Sequence, residues 1–74
     1  SQFKLKVLIE KPHLQWNNVL YIYNSHGRLI YKEKNYHNDW DMRLDDGSVL
    51  INGHYSYRLI RNATKWEGYF FIRN

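Results

Sequence analysis

Hydrophobic and polar residues along this chain alternate with a period of two rather than 3.6. Phe3, Leu5, Val7 and Ile9 alternate with Lys4, Lys6 and Leu8, a pattern that predicts a half-buried first strand. Pro12 ends it, because proline cannot donate to a ladder. After a connection at residues 13–18, in which Trp16 is expected against the core edge, residues 19–23 form an apolar and aromatic run of strand length. Asn24-Ser25-His26-Gly27 then supplies turn residues, and residues 29–33 resume with Ile30 and Tyr31. Two β-rich runs joined by a short glycine-containing turn read as a hairpin.

The second half is denser in turns. Residues 39–43 form an extended piece around Trp40, and Asp45-Asp46-Gly47-Ser48 is the strongest reversal signal in the chain. Val49-Leu50-Ile51 is short and apolar, and Asn52-Gly53 marks another tight turn. From His54 to Ile60 the alternation places Tyr55, Tyr57 and Leu59 on one face and Ser56, Arg58 and Ile60 on the other. Residues 62–65 turn once more, and residues 66–72 close the chain as a strand. No segment carries helical periodicity. About seven short strands separated by turns predict a single all-β unit spanning residues 1–74, built as a small antiparallel sandwich or barrel.

Composition says what must hold such a unit together. Seventy-four residues with no cysteine leave a thin core and no disulfide, so packing rests on the seven Tyr, three Trp and three Phe. The net charge of +4 is spread along the chain without a basic run or tail, the pattern of a solubilising surface. No apolar run reaches the roughly 18 residues of a membrane span.

The candidate chemistry is sparse. His13, His26, His37 and His54 form no pair at ligand spacing. Asp39, Asp41, Asp45 and Asp46 lack the glycine placement and distal glutamate of a calcium loop, so Asp45 and Asp46 read as turn caps. Glu10 and Glu33 read as cross-strand partners of lysines. Ser25, Ser48 and Ser56 sit in no nucleophile pattern, and no phosphate loop occurs. Neither catalysis nor a cofactor is expected. A basic nucleic-acid-binding barrel is one alternative, with Tyr21, Tyr23 and Tyr31 stacking bases near Arg28, Lys32 and Lys34.

From Leu20 onward, the series LYIYNSHGRLIY, NYHNDWDMRLDDGSVLINGHYSYRLI and EGYFFIRN resembles the C-terminal domain of gliding-motility-associated surface proteins of Bacteroidota. That family is the type B signal of the type IX secretion system, related to Ig-like domains of the flagellar hook-capping protein. Its landmarks fall here on Ile22-Tyr23-Asn24 with Gly27, Ile30-Tyr31, Tyr36 with Trp40-Asp41, Gly47, Gly53, Tyr55 and Tyr57, then Gly68-Tyr69 and Ile72-Arg73. The chain departs from the pattern at Ser25-His26, Met42 and Asn52.

The resemblance implies an Ig-like sandwich of about seven strands at the C-terminus of an exported protein. Gly27, Trp40, Asp41, Gly47, Gly53, Tyr55, Tyr57 and Gly68 would serve as scaffold, with Trp40 on a central strand. The implied partner is the protein machinery of the outer membrane, without a small-molecule substrate, nucleic acid or membrane insertion. The implied location is the cell surface or the extracellular space, reached through the periplasm. The final strand, with Trp66, Tyr69, Phe71 and Arg73, is the expected recognised element. An accessory Ig-like or fibronectin-like module of a surface protease or adhesin is a further alternative.

Overall fold

The computed structural model describes residues 3–73. Four strands, β1 (Asn18–Tyr23), β2 (Leu29–Lys34), β3 (Gly53–Arg61) and β4 (Thr64–Ile72), form one antiparallel sheet in the order β2-β1-β3-β4. Two local hairpins, β1–β2 and β3–β4, are thus joined along a β1–β3 seam, where Leu20 stands opposite Leu59 and Ile22 opposite Tyr57. The alternation on β3 is as its sequence pattern predicts: Tyr55, Tyr57 and Leu59 face the core.

Among the described residues there are four strands rather than seven, and no second sheet of a sandwich. The other layer consists of helix α1 (Lys6–Glu10), a 3-10 turn at Pro12–Gln15 and the long connection 35–52. The first strand expected from residues 3–9 is therefore corrected. Phe3 and Leu5 are buried in an extended arm, but Leu8 rather than Ile9 turns inward, because the chain coils after Leu5. The alternation at 3, 5, 7 and 9 coexists with an i,i+3 pair, Leu5 and Leu8, and burial follows the pair. Lys6 and Glu10 face each other one turn apart at 3.7 Å, so Glu10 pairs within the helix and not across strands. Pro12 stops α1 by disfavouring helical geometry at Lys11, then opens the 3-10 turn, where its missing N–H costs nothing.

Asparagines tie this layer to the sheet. The buried Asn18 side chain donates to the Leu14 (2.6 Å) and Tyr36 (3.2 Å) carbonyls and accepts from the Tyr36 N–H at 2.7 Å. Asn38 does the same for the arm, accepting from the Leu5 N–H at 2.8 Å and donating to the Leu5 carbonyl at 3.2 Å. An amide side chain thereby replaces the neighbouring strand that Leu5 lacks. Within the connection, residues 42–50 form a miniature hairpin closed by Leu44 N–H to Ser48 O at 2.8 Å and Leu50 N–H to Met42 O at 3.2 Å. Gly47, at φ 86°, makes its reversal.

The core lies between the layers and combines Leu8 and Leu14, Leu20, Ile22 and Leu59 from the sheet, and Tyr36, Trp40 and Leu50 from the connection. Trp40 is buried, but on the connection and not on a central strand. It stacks on Tyr31 (4.9 Å, 20°) and meets Phe3 edge-on at 5.4 Å. Trp16, expected against the core edge, is 61% exposed, with its ring edge-on to His37 at 4.7 Å.

Candidate recognition surface

Among the described residues, no layer covers one face of the sheet. Across all four strands runs the row Lys32, Tyr21, Arg58, Glu67. Tyr21 and Tyr23 lie near parallel at 6.5 Å, with the Lys32 ammonium 5.5 Å from the Tyr21 ring and the Arg58 guanidinium 5.9 Å from that of Tyr23. Arg58 Nε stands 3.6 Å from Glu67, which also meets Lys65 at 3.0 Å. The Lys65 hydrogen bond holds the Glu67 carboxyl below its usual value. Cations over rings and alternating charges half-bury these tyrosines without a second sheet. Tyr31 faces the other way, stacked on Trp40, and its hydroxyl donates to Glu33 at 2.6 Å; burial and that carboxylate raise its pKa. The three tyrosines considered as a base-stacking platform therefore do not share a surface.

The self-covering row stops short of the C-terminal half of β4. Tyr69 is 90% and Phe71 53% exposed on the open face, Phe71 leaning against His54 at 4.6 Å. Trp66 instead turns to the core side, opposite Leu59, and Arg73 lies beyond the end of the strand. Among the described residues, β4 has a neighbour on one side only, as does β2 at the opposite edge. The two edges differ. β2 carries Lys32, Glu33 and Lys34 and a register shift beside Tyr23. β4 pairs with β3 over its full length without a shift, and from Gly68 to Ile72 it bears no charge. Charges and bulges are the usual protection of a sheet edge against strand addition, and β4 lacks both in this stretch.

The remaining landmarks sit around this surface. Gly27, at φ 78°, closes the β1–β2 turn, whose Asn24 carboxamide accepts from His26 and Arg28 N–H groups at 2.9 and 3.0 Å. Asp41 is exposed and caps Arg43 N–H at 3.1 Å, while Asp46 accepts from the N–H and hydroxyl of Ser48 at 2.9 and 2.6 Å. Gly53 begins β3 opposite Ile72. Tyr55 is buried, stacks on Phe70 at 5.5 Å and donates to the Ile51 carbonyl at 2.6 Å. Tyr57 meets Phe3 edge-on at 5.7 Å and covers Gly68. Among the described residues, no group of three or more His, Asp or Glu side chains comes together to hold a metal ion.

Asn18 and Asn38 were not singled out from the sequence. Asn18 directly precedes an apolar run and Asn38 sits in a polar connector, and neither setting distinguishes a buried amide from a turn residue.

Neither curated proteins nor solved structures match the chain significantly. Residues 3–72 match the CHU_C type IX secretion signal domain, a family of export signals and not of catalysts. Such a signal implies export toward the outer membrane or cell surface and recognition by secretion proteins. With the match running from the buried Phe3 to the end of β4, the chain belongs to the type IX secretion signal domain family.

Proposed function

We propose that this domain, acting as one unit over residues 1–74, is read by the outer-membrane machinery of type IX secretion through the free edge of β4. The attached passenger then crosses from the periplasm and is held at the cell surface. The supporting observation is the contrast between the edges: β2 is charged and bulged, whereas residues 68–72 of β4 are uncharged, in unbroken register and include the exposed Tyr69 and Phe71. A partner strand adding there gains a ladder of main-chain hydrogen bonds and contact with those rings. Recognition of this kind needs no cofactor and no small-molecule substrate.

The test is export of a reporter fused upstream of the chain in a type IX-competent bacterium. The double variant Tyr69→Lys, Phe71→Lys charges the edge through two exposed side chains, so the fold persists by circular dichroism. Surface reporter falls to background in this variant. Wild-type surface display by the variant overturns the reading.

A further inference from the structure

Beside the β4 edge lies a groove of about 430 Å³, between residues 69–72 and the N-terminal arm at residues 4–6. Among the described residues its walls are aliphatic and aromatic, with Lys4 and Lys6 the charged side chains, and no Asp or Glu lines it. Lys4 donates to the Asn38 carbonyl at 2.5 Å and has no ion-pair partner among the described residues. Lys6 reaches Glu10 at 3.7 Å, but both side chains are largely in solvent, so that pair is weak and readily exchanged. Four of the acids elsewhere engage partners of their own: Glu33 with the Tyr31 hydroxyl, Asp41 with Arg43, Asp46 with Ser48, and Glu67 with Lys65.

We infer that this groove takes an extended segment bearing carboxylate side chains, added to β4 as a fifth strand with its acids toward Lys4 and Lys6. The inference rests on the reading of β4 as the recognised edge, and it specifies the chemistry of what binds there. An added strand lies about 4.8 Å from β4, and its alternate side chains point to one side about 7 Å apart. Acids at every second position would then face the lysine side together. Their intervening apolar partners would face Tyr69 and Phe71. The positive rim steers such a segment and discriminates against a basic one.

The probes are three blocked octapeptides that alternate valine with glutamate, glutamine or lysine, titrated into the chain by calorimetry and followed by amide exchange. The glutamate peptide binds, slows exchange at residues 69–71 and weakens with added salt. Lys6→Glu, an exposed change, lowers its affinity about tenfold at low salt. The glutamine and lysine peptides bind more weakly in that order. Equal binding of all three, no slowing in β4, or self-association of the chain through β4 that excludes the peptide each overturns the inference. The export assay separates the two readings. If the edge variant loses export while no peptide prefers glutamate, the acidic strand is refuted and edge recognition stands. Selective glutamate binding with normal export of the edge variant refutes edge recognition as the export step and supports the acidic-strand site.

Discussion

The ring of Tyr57 covers Gly68, its partner across the β3–β4 pair, so closely that a Cβ on residue 68 would stand 2.6 Å from ring carbon Cε2. The glycine is a seat for the ring, and the ring supplies the side chain that the glycine lacks on that face. Gly68→Ala must push Tyr57 off this seat or bend β4, and overpacking of this kind costs about 1–3 kcal/mol. Denaturant titration reads the loss. Adding Tyr57→Leu to Gly68→Ala should give a double variant less destabilised than the sum of the two single changes. Strict additivity would show that the ring and the glycine are not coupled.

Asn18 is expected to be among the most sensitive polar positions. Asn18→Ala strands the Leu14 carbonyl and both main-chain groups of Tyr36 in the interior. Each buried group left unpaired costs about 1–3 kcal/mol, so a total near 3 kcal/mol is expected from a domain whose whole stability is of order 5–15. A thermal midpoint within two degrees of the parent would refute the tie.

Acid should loosen the 42–50 hairpin. The Ser48 hydroxyl and N–H hold the Asp46 carboxyl below its ordinary value of 3.8. The folded form thus favours the carboxylate. Its contribution is complete above that ordinary value and is lost as pH falls through the lower folded value. Asp46→Asn should flatten the dependence of the thermal midpoint on pH below about 5. An unchanged acid limb in the variant argues against this cap.

Alkali acts through Tyr36. Burial pushes its pKa up from 10.0 to about 12, partly offset by the hydrogen bond from Trp40 N–H to its hydroxyl. The folded chain keeps the proton that the unfolded chain releases, so stability is full below pH 10 and falls as pH rises toward 12. The slope for one such group is about 1.4 kcal/mol per pH unit. Tyr36→Phe should remove its own share of the alkaline slope, leaving that of Tyr31, while keeping the ring in the core. Denaturant midpoints measured across this range decide it, and an equally steep decline in the variant counts against Tyr36.

Much of this architecture was legible in the chain. The turns at Gly27, Gly47 and Asn62, the facing of Tyr55, Tyr57 and Leu59, and the closing strand follow from period-two alternation and left-handed turn residues. The first ten residues were not. Their alternation fits a strand, and only the placement of Leu8 under the sheet, with Asn38 serving Leu5, favours a helix there. Nor did alternation show that Tyr21 and Tyr23 face away from the core. A tyrosine shielded by a lysine or an arginine has the same sequence pattern as one packed beneath a second sheet. The last strand reads as a closing strand, and by resemblance as the recognised element, but not as a free edge beside β3, because strand order follows from the β1–β3 seam and not from local pattern.

That seam also has a kinetic consequence. Hairpins β1–β2 and β3–β4 each close through a short turn, on a scale of about 1–10 μs. Aligning Asn18 with Arg61 and Leu20 with Leu59 requires the whole connection 35–52 to be drawn in first. We expect docking of the two preformed hairpins to limit folding. Leu59→Ala should then slow refolding, while changes at the Asn62 turn chiefly speed unfolding. Until docking occurs, β4 belongs to a hairpin that is not yet part of a domain, so the edge acquires its supported form only in the last step of assembly.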